Sequence, residues 1–192
     1  MLDPPPVELQ ALLERRKRLD QDRHDEMWEG VYHMAPAPRN THTDVQHQLA
    51  VLLDAPARQA GLHPLIGGEI NIGEPNNFRV PDGALLRERR DVIWNPTAAL
   101  AVEIVSPGDE TWQKLPFYAA HHVEELLILD PATRSIDWLA LSGEEDGEPY
   151  RAIERSRLID LSVADLAERI DWPPAEPAPT LSRIIEIPQS CS

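Results

Sequence analysis

ALAVEIVSP (residues 99–107) and ELLILDP (residues 125–131) are the two stretches on which the fold turns. Both are continuous apolar runs, the pattern of strands covered on both faces of a sheet. The roughly twenty residues between them are enough for a crossover joining parallel strands. They include TWQKLPFYAAHH (111–122), which reads as a helix. The result is a β-helix-β unit, and with it an α/β or α+β class: a mixed central β-sheet flanked by helices. Glu103 is the anomaly in the first run. Val102 and Ile104 face one way, and Ala101, Glu103 and Val105 the other. A carboxylate at such a position needs a partner, either a strand-end cation or a metal ion.

Working outward, SIDWLALSG (135–143) follows ELLILDP through the turn DPATR and forms an antiparallel hairpin with it. Upstream, HPLIGGEINIG (63–73) and FRVPDGALLR (78–87) are extended. NTHTDVQHQLAVLLDAPARQAGL (40–62) is a helix with Thr41 or Thr43 as its cap and Val45, Leu49, Leu52 and Leu53 as its buried stripe. Pro56 is expected to end or bend it. EGVYHMAPAP (29–38) is a short strand closed by prolines. VELQALLERRKRLDQ (7–21) has helical spacing of Val7, Leu12, Leu13 and Leu19. Pro6 suits its first turn, and RRKR (15–18) reads as a solvated face. Near the other end, GEEDGEP (143–149) is an acidic loop tip and LSVADLAERI (161–170) a short helix capped by Ser162. WPPAEPAPT (172–180) reads as a linker, and TLSRIIEIPQSCS (180–192) as an extra strand or a tail. The expected organisation is one domain over 1–172, with residues 1–24 as an accessory N-terminal helix and 173–192 as a Pro-rich linker and tail. No internal repeat is visible.

The bulk numbers narrow the function. The chain has 192 residues, 42% hydrophobic and 27% charged, enough for one cored soluble domain. No apolar run spans a membrane and no basic-then-apolar leader opens the chain, so a cytoplasmic protein is expected. The single cysteine, Cys191, excludes an internal disulfide and a Cys/His zinc site. A net charge of -15 argues against indiscriminate binding to nucleic acid, though not against a local groove or a site where metal ions supply the positive charge. There is no Gly-rich phosphate loop, so no nucleotide cofactor is expected.

Asp82 lies in a Pro-Asp-Gly turn signal, where it either shapes a turn or points to one side of a kink. Lys114, alone, is a solvated lysine on a helix; Tyr118, four residues on, shares its helical face. Pro116 either distorts that helix or sits near its first turn. The histidines (His24, His33, His42, His47, His63, His121 and His122) show no clean ligand pair. His121 and His122 at a helix end suit the helix dipole, and Ser106 reads as a brace for the turn before Pro107. Asp82, Glu103 and Lys114 together have a chemical logic. Two carboxylates from adjacent strands can hold a hard divalent cation, which polarises a phosphoryl oxygen and acidifies bound water. A neighbouring lysine can orient that water or stabilise charge developing on the phosphate.

VPDGALL (80–86), AVEIVSP (101–107) and KLPFYAAHHVEELLILDP (114–131) together resemble the Uma2 family of putative restriction endonucleases, within the PD-(D/E)XK nuclease superfamily. The likeness extends upstream through DEMWEGVYHMAPAP (25–38) to His42, and covers residues 25 to 142. It implies a restriction-endonuclease-like fold and a metal-dependent endonuclease that hydrolyses phosphodiester bonds in DNA, with Mg2+ or Mn2+ as cofactor. Carried over residue by residue, it makes Asp82 and Glu103 the metal ligands and Lys114 the catalytic lysine. Glu26 and Tyr118 are supporting residues. The superfamily's usual lysine position, two after the second carboxylate, is Val105, so the lysine is expected to come from the following helix. Relatives of this kind are often homodimers. SPGDETWQK (106–114) is shorter than the family's usual connection, and Asp109 and Glu110 add negative charge there. These departures favour the alternative, a catalytically degenerate nuclease fold serving as a protein- or DNA-binding module. A hydrolase acting on another phosphoester is a third reading.

Overall fold

The computed structural model describes residues 7–68, 70–108, 110–143 and 148–173. Pro6, Asp109, the acidic tip at 144–147, the Pro-rich segment from 174 and the tail with Cys191 lie outside them.

In chain order the elements are α1 (Val7–Arg18), β1 (Glu26–Trp28), β2 (Val31–His33), α2 (Asn40–Gln59), β3 (His63–Ile66), β4 (Asn71–Glu74), β5 (Asn77–Arg79), β6 (Gly83–Leu86), β7 (Trp94–Asn95) and β8 (Leu100–Ile104). A 3-10 turn (Thr111–Lys114) then leads into α3 (Leu115–Ala120), followed by β9 (Glu125–Asp130), β10 (Ser135–Leu141), β11 (Tyr150–Ala152) and α4 (Val163–Arg169). The class is mixed α+β, as expected. The expected mixed central sheet flanked by helices is present, and a second mixed sheet lies beside it. A six-stranded sheet runs β11-β10-β9-β8-β6-β3, and a five-stranded one runs β2-β1-β5-β4-β7.

β8 and β9 pair in parallel, with Leu100 opposite Glu125 and Ile104 opposite Leu129, so the crossover reading of the two apolar runs holds. β9 and β10 form the expected antiparallel hairpin. Both faces of β8 are covered. Leu100, Val102 and Ile104 pack with Val45, Leu49 and Leu53 of α2 and Leu166 of α4. Ala101 on the other face packs with Phe117 and Tyr118 of α3 and with Ile72 of β4. Leu100 and Ile104 are at most 1% exposed, and each such side chain contributes about 1.5–3 kcal/mol.

The segment FRVPDGALLR is split between the sheets, because β5 belongs to one and β6 to the other. Pro81 has no N–H to give to a ladder. The Val80 N–H is also diverted, donating to Glu26 Oε1 at 2.8 Å. Asp82 therefore stands at the bend where the chain changes sheet, and Gly83 already belongs to β6.

α1 departs from its expected amphipathic packing. Leu12 and Leu19 are exposed, and Arg16, expected on a solvated face, turns inward. Its guanidinium meets Asp25 at 2.6 and 3.0 Å and donates to the Ala35 carbonyl at 3.1 Å. Asp25 also accepts from the Tyr32 hydroxyl and the Ala35 N–H, at 2.6 and 2.8 Å. One buried carboxylate thus ties α1, β2 and the proline strap after β2 together. The β1–β2 hairpin pairs Glu26 with His33 across the two-residue turn Glu29–Gly30, both in the left-handed region (φ 50° and 87°).

α2 has the expected buried stripe but not the expected ends. Arg39 is its N-cap, and the Thr43 hydroxyl bonds the Arg39 carbonyl instead of capping. Pro56 lies inside the helix. The stop is Gly61 (φ 74°), whose N–H bonds Arg58 O while that of Leu62 bonds Ala57 O, closing the last turn in a Schellman pattern. Pro116 sits in the first turn of α3, where its missing N–H costs nothing. Ser162 caps α4 in a reciprocal box with Asp165. Among the described residues no helix is long and apolar enough to cross a membrane.

Candidate active site

The strand bearing Glu103, the bend bearing Asp82 and the 3-10 turn bearing Lys114 all reach one cavity of about 630 Å3, which Glu26 also lines. Glu103 is 4% exposed in the middle of β8. Tyr118 donates its hydroxyl to Glu103 Oε1, and Lys114 Nζ lies 3.2 and 3.1 Å from the two carboxylate oxygens. The same ammonium is 3.0 Å from Glu26 Oε1. The other Glu26 oxygen accepts from Trp28 Nε1 at 2.6 Å. Lys114 therefore bridges the first strand of one sheet and the central strand of the other. Lys114 and Tyr118 do work together, as their spacing suggests, but across the joint between the 3-10 turn and α3.

Asp82 is held on three sides. Its Oδ2 accepts from the Ile104 N–H at 2.7 Å, its Oδ1 lies 2.8 Å from His42 Nε2, and its carbonyl accepts from Gln46 Nε2 at 2.9 Å. His42 Nδ1 is 3.2 Å from the Ser106 hydroxyl. A neutral imidazole that donates from Nε2 to Asp82 and accepts from Ser106 at Nδ1 satisfies both contacts. Ser106 thus braces a site residue as well as its turn.

The electrostatics follow from burying three acids near one cation. Burial pushes Glu103 up to about 7; Lys114 and the Tyr118 hydrogen bond pull against that, while Asp82 and Glu26 add to it. Burial works to lower Lys114, but Glu103, Glu26 and Asp82 overcome it and hold the ammonium above its ordinary value. Burial and the same carboxylates raise Tyr118 well above the usual phenol range, so it stays a donor.

Among the described residues no group of three or more His, Cys, Asp and Glu side chains is arranged to hold a metal ion. Magnesium does not need one, since it takes one or two carboxylates and keeps several waters. The donor set at hand, Asp82 and Glu103, is all carboxylate and suits such a hard cation. Glu26 is engaged by Val80 and Trp28 and acts on Lys114.

Several contacts of the site escape the sequence reading. His42 shares a helical face with Gln46, four residues on, and both reach Asp82; that spacing was the available signal, not the poorer one to His47. His33 and Glu110 meet at the cavity (Nδ1 to Oε2, 2.8 Å), so Glu110 is paired with an imidazole there. Arg79, 5% exposed, lies between the rings of Trp28 and Phe117, each centred 4.1 Å from its guanidinium carbon.

A mixed α+β fold in which an acid-bearing central strand, a Pro-Asp bend and a lysine from the following helical segment line one cavity defines a protein of the restriction-endonuclease-like class. The chain belongs to the Uma2 family, whose model, described as "Putative restriction endonuclease", matches residues 8–167. It is similar to the crystal structure of a putative nuclease belonging to DUF820 from Anabaena variabilis, at 15% identity and a TM-score of 0.58, over 75% of this chain and 89% of that one. At that identity the likeness is one of fold. No curated protein matches the chain.

Proposed function

We propose that the protein is a divalent-metal-dependent endonuclease that hydrolyses DNA phosphodiester bonds. The observation that carries the reading is Glu103, an acid at the centre of an apolar strand that reaches the same cavity as Asp82 and Lys114. A hard cation such as Mg2+ or Mn2+, held by Asp82 and Glu103, would polarise the phosphate and acidify water. The chain's own residues do the rest. His42 and the Ile104 N–H orient the Asp82 carboxylate. Tyr118 and Lys114 orient that of Glu103. The Lys114 ammonium, kept charged by Glu26, places positive charge where a phosphoryl oxygen gains negative charge. Two copies acting together would allow both strands to be cut where a duplex is locally opened.

The second reading, a binding module without catalysis, draws on the same ammonium, because Lys114 already neutralises the acids that a metal would occupy. The test is cleavage of plasmid and of single-stranded DNA with Mg2+ or Mn2+, comparing the native protein with Glu103→Gln and Asp82→Asn. Metal-dependent cleavage lost in both variants is expected. Cleavage that persists in Glu103→Gln, or none with any divalent cation, would overturn the reading.

A further inference from the structure

We infer that the cavity seats an unstacked nucleobase against the imidazole of His33, so that the substrate is single-stranded or locally opened nucleic acid rather than a continuous duplex. This rests on the nuclease reading of the same cavity and names its substrate class.

The first observation is a column of flat groups inside the protein. His121 stacks on Phe117 (centroids 3.9 Å apart, 28° between planes). The Arg79 guanidinium lies 4.1 Å from the rings of both Phe117 and Trp28. Trp28 then stacks on His33 at 4.2 Å and 15°. Trp28 is thus in contact with both the Arg79 guanidinium and the His33 ring. His33 ends the column and lines the cavity with Asp82, Glu103 and Lys114. One face of its ring lies on Trp28, and an edge is fixed by Glu110. A base added on the opposite face would extend a stack that is already rigid, with little ordering cost.

The second observation is the wall. Met34, Pro36 and Pro38 of the strap line the same cavity, and Met34 is 48% exposed. An adaptable thioether and two proline rings suit the face and edge of a base. The third is charge. A protein that grips duplex DNA relies on lysines and arginines along the phosphates. This cavity instead sets four acids, Glu26, Asp82, Glu103 and Glu110, against Lys114 and Arg39, and Lys114 is committed to two of the acids. Stacking on a ring adds affinity that does not come from charge. The fourth is size, since about 630 Å3 is the volume of a pocket for a drug-sized molecule, on the scale of a nucleotide.

The test is binding, read by fluorescence anisotropy in Ca2+, which takes the same oxygen ligands. The probes are a short labelled single strand, its blunt duplex, and the same single strand with abasic sites. Native protein should bind the single strand about tenfold or more tighter than the duplex. His33→Ala should lose about tenfold on the intact single strand, the scale of one stacked base, and change little on the abasic one. His33→Phe, which keeps a ring on Trp28, should restore the affinity. Equal binding of duplex and single strand, the same loss on abasic and intact strands, or no binding to any probe would overturn the inference. The nuclease reading fails separately: His33-dependent binding without metal-dependent cleavage sinks the chemistry alone, whereas cleavage indifferent to His33 sinks the base subsite alone.

Discussion

Replacing Lys114 with methionine keeps much of the side chain's length and removes the ammonium that lies 3.1 Å from Glu103 and 3.0 Å from Glu26. The two carboxylates are 5% and 8% exposed at their side chains, so water cannot compensate them fully. Removing one partner of a buried ion pair costs about 3–5 kcal/mol. For a chain of this size that corresponds to about 6–20 °C in Tm. The loss should depend on pH in a defined sense. Glu103 is already raised to about 7, and Lys114 is the strongest influence opposing that rise, so the variant's Glu103 lies higher still. A carboxyl whose folded pKa exceeds its unfolded one supports the fold below the unfolded value and loses that contribution as pH rises through the folded value. Lys114→Met should therefore be least damaging near the ordinary carboxylate pKa and most damaging above about 7. Thermal melts of both proteins on either side of that window check it. Divalent cation adds a second arm: if Asp82 and Glu103 hold the ion, Mg2+ at a hundred times its Kd returns about 2.7 kcal/mol to the variant. A loss below about 1 kcal/mol, or one equal at both pH values, would refute the argument that these acids depend on Lys114.

Three further outcomes can be checked directly. His42→Ala should weaken divalent-cation affinity about 10- to 100-fold by calorimetric titration, because the imidazole orients Asp82 and supplies no metal ligand itself. Glu125→Ala should cost about 3 kcal/mol or more in urea unfolding, since it strands the Trp138 N–H, the Ser156 hydroxyl and the Arg157 N–H, all now bonded to the carboxylate within 2.9 Å; a loss under about 1 kcal/mol contradicts this. Ser162→Ala should cost about 1 kcal/mol by the same assay and leave cleavage unchanged, because it removes the cap of α4.

Glu125 and Glu103 show how far strand patterning reaches. Both are buried acids in apolar strands, opposite sides of one parallel pair, and burial demanded a partner for each. Their partners differ, since Glu125 is satisfied by neutral donors and Glu103 by a lysine and a tyrosine from α3 and the turn before it. The core of the six-stranded sheet was legible because β8, β9 and β10 are long apolar or alternating runs joined by a helix and a tight turn. The second sheet was not. Its strands are two to four residues long, too short for periodicity, and its boundary with the first is one bend at Pro81 whose geometry depends on Glu26, distant in sequence. Pro56 does not end α2, because a local helix breaker is outweighed by the packing of that helix. Arg16 misled because a basic run looks the same whether or not one member finds a buried acid.

Asp25 immediately precedes β1 and Glu26 opens it, and the alternation of extended backbone sends them to different duties: Asp25 holds α1 and the strap, Glu26 holds Lys114 and Val80. A slip of one residue in the pairing of β1 with β2 would exchange the two, pointing the strap's anchor at the lysine and the lysine's partner at Arg16. The tight Glu29–Gly30 turn admits one alignment of that hairpin, with Glu26 opposite His33. A two-residue loop at the surface thereby acts as the gauge that sets which acid serves the chemistry and which one shapes the room around it.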